Sequence, residues 1–348
     1  MVEQTSLVRR RPSSGTQKRR ALSALIVLSA ILGLVVSCAT PQFSPYPEEQ
    51  TSMPQFDVER ERFISFDGSE LGLTVWGEEQ PEHVIVGVHG MNDYANAFHM
   101  AAPYWAERGV RTYAYDQRGF GRSPGRGFWP NEDAMREDLR TAVQVAKDRH
   151  PDAQISVVGI SMGGAVAMSL FGGENPPEVD RLILSGPGLR GWGAIPWYQA
   201  LALRISTQVR PGWIVVPPKG IVKIEPSDNI EMLQRTWSDP LMQRDNRIDQ
   251  VYGVVSVMES AHKAAPRLPE RTLLLYGAKD IVIPESGMKR TAKHLPDHVR
   301  TAYYQRGYHM LMRDLQAENV WKDVLAFLDD PATEFPSGAE PLPWGRKP

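Results

Sequence analysis

The 348 residues are 42% hydrophobic and 23% charged, enough apolar content to bury one large core or two smaller ones, which sets aside disorder as the overall state. The formal net charge is −2, but residues 1–37 hold six basic groups against one acid, so the remainder carries a net −7. No concentrated basic face is evident in the sequence, so nucleic acid is not expected as a partner.

Residues 1–37 read as an export signal: a basic stretch ending at Arg20, an apolar run over 21–36, then Ser37 and the single cysteine, Cys38. The run of about 16 residues falls short of the ~20 that cross a bilayer as a helix, which favours cleavage over a permanent span. Val35-Val36-Ser37-Cys38 resembles the bacterial lipobox, in which the cut falls before a cysteine that carries diacylglycerol. Lipidation at Cys38 is expected, placing the protein in the bacterial cell envelope with the membrane as a partner through that lipid. Ala39 rather than aspartate after the cysteine resembles the pattern sent to an outer membrane, facing the periplasm. Residues 38–58 are then the lipidated cysteine and a flexible tether, because 40–54 are rich in Pro, Ser and Glu. With its one cysteine consumed, the exported chain has no internal disulfide and depends on its core.

Beyond the tether, strand-like and helix-like runs alternate, which predicts an α/β fold with a mostly parallel sheet and helices on both faces. Runs at 62–66 and 71–76 flank Asp67-Gly68 and read as an antiparallel hairpin. Near-continuous apolar runs follow at 83–88, 111–115, 155–159, 181–185, 271–276 and 299–304, giving eight strands in all. A helix is expected over 131–150, with Asn131 as its cap and Glu132 and Asp133 at its positive end, and another over 310–328. Between 186 and 269 the interval is far longer than one crossover needs, so an inserted helical cap is predicted there, dividing the core into 59–185 and 270–330. The proline-rich end, 331–348, reads as a flexible tail.

Gly159-Ile160-Ser161-Met162-Gly163 follows the apolar strand at 155–158 and precedes a small-residue helix start. That is the setting of a nucleophile elbow, where the turn leaves no room for side chains beside the serine. A serine hydroxyl needs a base, and in this chain order the base follows both serine and acid. Of the eight histidines only His309 lies after the last predicted strand. Asp280, after the strand at 272–276, is the matching acid, preferred over Asp297 in its His-Leu-Pro-Asp-His turn. Backbone N–H groups of Met162 and Met91 are the candidate oxyanion donors. His89, in the turn that carries Met91, reads as a loop-shaping residue. His294 and His298 have metal-like spacing, but Pro296 between them breaks the helix, and the chemistry requires neither metal nor cofactor.

Taken with His89-Gly90, the 115–123 run Tyr-Asp-Gln-Arg-Gly-Phe-Gly-Arg-Ser, Asp239-Pro240-Leu241 and Gly307-Tyr308-His309, these motifs resemble the monoglyceride lipase and lysophospholipase branch of the α/β hydrolases, also grouped with the serine aminopeptidase-like hydrolases, over about residues 60–330. The sequence departs from that pattern at Ile160, where many relatives have histidine, and at Met91-Asn92-Asp93. The 116–123 loop, with two glycines and Arg118, reads as architecture rather than catalysis. The resemblance implies a serine esterase acting on a small lipid ester, monoacylglycerol or lysophospholipid, with the cap covering the site. Trp192, Ile195, Trp197, Tyr198, Leu201, Leu203 and the 213–216 run give that cap its apolar content, most of it expected to pack the cap onto the core. An acyltransferase or peptidase could use the same triad. A non-catalytic binding lipoprotein would show itself by a missing triad member, and none is missing.

Overall fold

Buried apolar runs become the inner strands of one large sheet. The computed structural model describes residues 53–215 and 225–344. Cys38, the export signal and most of the proposed tether lie outside the described residues. In chain order the strands are β1 (Gln55–Asp57), β2 (Arg62–Ile64), β3 (Glu70–Trp76), β4 (His83–Val88), β5 (Val110–Tyr115), β6 (Gln154–Ile160), β7 (Arg181–Ser185), β8 (Ile214–Val215), β9 (Asn246–Arg247), β10 (Thr272–Gly277) and β11 (Arg300–Tyr304). Among the described residues the main sheet has nine strands in the order β1-β2-β3-β5-β4-β6-β7-β10-β11, and β8 pairs with β9 apart from it. Pairing is antiparallel from β1 to β5 and parallel from β5 onward.

Helices α1 (Ala101–Ala106), α2 (Glu132–Arg149), α3 (Met162–Phe171), α4 (Trp197–Val209), α5 (Ile230–Ser238), α6 (Ile248–Ala264), α7 (Glu285–Ala292) and α8 (Ala317–Asp329) complete the described elements of this size. One face of the sheet packs against α2, α3 and α7 through Met135, Leu139, Val166 and Met288. The other face takes α1 and α8 through Trp105, Val320, Val324 and Phe327. In α2 the Asn131 side chain accepts from Asp133 N at 2.8 Å, and Glu132 and Asp133 occupy the first turn, so the cap and the dipole both favour this start. Between β7 and β10 lie α4, α5, α6 and the small β8/β9 pair. Helix α6 is the inner one: Val257 and Ala261 join the core beside α3.

Four expectations need correction. The sheet gains a ninth strand, β1, inside the stretch assigned to the tether: Phe56 is buried and stacks on Tyr113 with ring centroids 4.3 Å apart, burial that three residues cannot advertise in a sequence. The tail is packed as far as it is described. Tyr303 N donates to Glu340 O (2.7 Å), Leu342 N to Thr301 Oγ1 (3.0 Å), and Trp344 sits edge-on to Tyr303 at 5.3 Å. It covers the free edge of β11, which would otherwise offer unpaired backbone to other chains. The last helix begins at Ala317 rather than 310, because residues 310–316 spend their polar groups on contacts described below. Finally, much of the cap's apolar content faces outward rather than the core, with Trp197 77% exposed and Leu201, Ile205 and Val209 at least half exposed.

Candidate active site

The predicted triad and oxyanion residues stand at the carboxyl ends of the parallel strands, as expected for an α/β sheet. Ser161 follows β6 directly and has φ +51° and ψ −116°, a conformation outside the common regions for an L-residue. A side chain on Gly159 would come within 2.8 Å of Gly163 O, and one on Gly163 would collide with the carbonyls of Val88 and His89. The elbow therefore brings α3 against the end of β4, and only glycine permits it. Ser161 N donates to Ser185 O (3.0 Å), while Ser161 O accepts from Ala165 N (3.0 Å) and Gly188 N (2.8 Å), which locks the turn.

The loops after β10 and β11 supply the other two groups. Asp280 Oδ1 accepts from Val282 N (2.9 Å) and Ile283 N (2.8 Å), which leaves Oδ2 to accept from His309 Nδ1 at 2.8 Å. With its proton held at Nδ1, the imidazole presents Nε2 as acceptor to Ser161 Oγ, 3.0 Å away. All three residues are buried. The two loops meet at Gly277, where a Cβ would press on the carbonyls of Gly307 and Tyr308, and Lys279 N donates to Gly307 O (2.9 Å). Asp297 is exposed beside β11 and does not enter this group. His298 Nε2 lies 2.9 Å from Leu268 O, whereas His294 stacks edge-on with His262, so the metal-like pair faces different partners.

Met162 is the first residue of α3, so its N–H is one of the four that the helix itself cannot accept. Met91 lies across Ser161 in the turn after β4 and lines the same pocket. His89 shapes that turn: Nε2 accepts from Gln117 N (2.8 Å), Nδ1 lies 2.8 Å from Gly90 O, and burial pushes its pKa below the ordinary histidine range. The 116–123 loop is architectural as expected, with Gln117 bracing His89 and Arg118 buried among carboxylates.

Beside Ser161 opens a pocket of about 560 Å³, walled by Met91, Leu203, Val254, Val255, Met258 and Ile283. Among the described residues Arg190, exposed at this wall, is the only charged side chain lining it, and it has no ion pair there. Of the cap residues singled out in the sequence, Ile195 and Leu203 reach the pocket; Trp197, Tyr198, Leu201 and Trp213 are exposed, and Trp192 packs on Tyr252. A groove of about 610 Å³ between α7, β11 and the tail contains none of the triad residues.

Residues 79–316 match the family model described as "Serine aminopeptidase, S33", more than half of the chain. The chain belongs to the serine aminopeptidase S33 family. It is an α/β hydrolase and, within that family, a serine ester hydrolase. The monoacylglycerol lipase of Mycolicibacterium smegmatis is 25% identical to it over 76% of this chain and 95% of its own. Rattus norvegicus monoglyceride lipase is 23% identical over 79% of this chain and 88% of its own. A soluble variant of monoglyceride lipase from Saccharomyces cerevisiae, solved with a substrate analog, shares the fold with a TM-score of 0.65 at 18% identity. It covers 83% of this chain and all of the other.

Several pairings near the site were not legible in the sequence. Tyr94 donates to Asp239 Oδ2 at 2.6 Å, tying the Met91 turn to the cap; burial first, then Asp239, pushes the phenol pKa up. Arg313 pairs with Asp93, and Asp314 holds the backbone of Tyr308. Tyr94 and Asp239, and Asp93 and Arg313, are far apart in sequence and have no shared motif to betray them.

Proposed function

We propose that this protein hydrolyses carboxylic esters of lipids, monoacylglycerols or lysophospholipids, through an acyl-Ser161 intermediate. The observation that carries the reading is the hydrogen-bonded line Ser161–His309–Asp280 opening onto an apolar pocket. His309 Nε2 takes the Ser161 proton as Oγ attacks the ester carbonyl, and Asp280 steadies the imidazolium that results. The oxyanion is held by the N–H groups of Met91 and Met162. His309 then returns the proton to the leaving alcohol, and water repeats the cycle to free the fatty acid. The test is a panel of p-nitrophenyl esters of rising chain length, 1-monoacylglycerol, lysophosphatidylglycerol and amino-acid p-nitroanilides. Ester turnover with little on anilides is expected, and the reverse would favour a peptidase.

Head-group preference turns on Arg190, the one charge at the pocket wall among the described residues. A charge-assisted hydrogen bond to a phosphate is worth roughly 1.5–3 kcal/mol, so Arg190→Gln should raise KM for lysophosphatidylglycerol about tenfold. Monoacylglycerol should change by less than about twofold, having no group to lose. Equal effects on both esters would remove the head-group role.

The proposed setting is a membrane surface, with the protein exported and anchored by lipid on Cys38. Trp197, Leu201, Ile205 and Val209 support it: at i,i+4 spacing they form one exposed apolar stripe on α4, while Leu203 and Ser206 of the same helix line the pocket. A lipid would then cross one helix to reach Ser161. In a bacterial host the full chain should fractionate with membranes and Cys38→Ser should leave them. A Cys38→Ser chain that stays fully membrane-bound would reject lipidation as the anchor.

A further inference from the structure

Ser161 is flanked by the turn 89–93 and the base loop 305–309, and the returning arm of the cap, 225–229, lies against the residues that follow His309. One short turn, 310–316, touches all three. Arg313 Nη2 forms an ion pair with Asp93, both side chains being buried. Asp93 N donates to Gly90 O (3.3 Å) and Asp93 Oδ1 accepts from Tyr94 N (2.9 Å), so the carboxylate that Arg313 holds is built into the Met91 turn. Arg313 Nη1 is buried with no acceptor among the described residues, which leaves Asp93 as the guanidinium's compensating charge.

Asp314, next in the chain, faces the other way. Its Oδ2 accepts from Tyr308 N (2.8 Å), one residue before His309, and its Oδ1 accepts from Ser227 Oγ (2.7 Å) in the cap arm. The arm is tied further by Met310 N to Pro226 O (2.8 Å), Leu315 N to Asp228 Oδ1 (2.8 Å) and Asn229 Nδ2 to Arg313 O (3.1 Å). Burial raises the Asp314 carboxyl to about 6, against the opposing pull of its two donors.

We propose that Arg313 and Asp314 are positioning residues that lock the Met91 turn, the His309 loop and the cap arm into one geometry around Ser161. The inference rests on the triad reading above. Loops have many conformations of similar energy, and catalysis tolerates only small displacements, so a buried ion pair is used here for register rather than for stability. Because Ser227 shares the same carboxylate, the seating of the cap is coupled to the seating of the base.

The experiment measures kcat and KM of the full chain on p-nitrophenyl butyrate, together with thermal midpoints, well below which the kinetics are run. Arg313→Met is expected to lower kcat roughly 10- to 100-fold with KM within about twofold, since misplacement of groups acts on the transition state. Arg313→Lys should recover most of that loss. Asp93→Asn combined with Arg313→Met should be no worse than the more impaired single variant. Ser227→Ala, which deletes one hydrogen bond at the cap, should lower kcat about threefold; it decides the matter if Arg313→Met does not fold. Variants that melt earlier yet keep the parental kcat would overturn the proposal. Ser161→Ala in the same assay separates the two failures: residual activity there sinks the triad reading, whereas a dead Ser161→Ala beside unimpaired 313 and 227 variants sinks only this one.

Discussion

Ser161→Ala is expected to lower kcat/KM for ester hydrolysis by roughly 10⁴- to 10⁶-fold, the loss seen when a member of a cooperating triad is removed. Folding should be nearly unaffected. The strain at φ +51° belongs to the backbone turn and is held by Ser185 O, Ala165 N and Gly188 N, none of which needs the hydroxyl. Alanine keeps the Cβ, so the thermal midpoint should hold while the rate collapses. His309→Ala should be comparably severe, and the double variant little worse than either, because the base has nothing to activate once Oγ is gone. A fluorophosphonate probe gives an independent reading: mass spectrometry should find one adduct, on Ser161, absent from the variant. A loss of tenfold or less, with labelling elsewhere, would mean another nucleophile and would end the ester mechanism proposed above.

The residues that make this prediction possible were the most legible in the sequence, for a physical reason. The elbow is local as a motif: both flanking glycines stand within two residues of the serine, Gly159 kept bare by Gly163 and Gly164 and Gly163 by the end of β4, so the requirement is written where the serine is. Acid and base follow strand ends, and the strands were visible as apolar runs buried on both faces. What stayed hidden depends on partners remote in the chain. Phe56 reads as part of a polar tether until Tyr113 is placed under it. Trp344 reads as tail until Tyr303 is beside it. Met310, Leu311 and Met312 look like the start of a helix, yet Met310 N–H goes to Pro226 O, and Arg313 and Asp314 turn to opposite loops. The cap was visible as an overlong interval; which of its apolar side chains face water was not, because an outward stripe and an inward one have the same periodicity.

The largest loss of stability is expected from the arginine that the sequence marked as architectural. Arg118 Nε and Nη2 donate to the two oxygens of Asp138 at 2.7 Å, and Nη1 and Nη2 donate to Asp67 at 2.8 Å, with Nη1 also reaching Ser69 Oγ. Asp138 also accepts from Ser65 Oγ. Arg118 and Asp138 are 2% and 1% exposed, so the charges compensate one another in place of water. The group binds the hairpin turn, the loop after β5 and α2, and through Gln117 it reaches the His89 turn. Removing one partner leaves the buried charges under-compensated: Asp138→Ala should cost about 3–5 kcal/mol, a large fraction of the roughly 5–15 kcal/mol that holds a typical domain. Urea denaturation of the full chain at neutral pH measures it, with an unchanged slope if only stability has moved. The charge argument makes a sharper demand on the pair. Arg118→Met in the Asp138→Ala background removes a guanidinium that has already lost one of its two carboxylates, so the double variant should be more stable than the sum of the single losses, with a coupling of at least about 1 kcal/mol. Additive losses would mean that the two side chains stabilise the fold by packing alone, and that the ionic bridge between hairpin and helix contributes nothing.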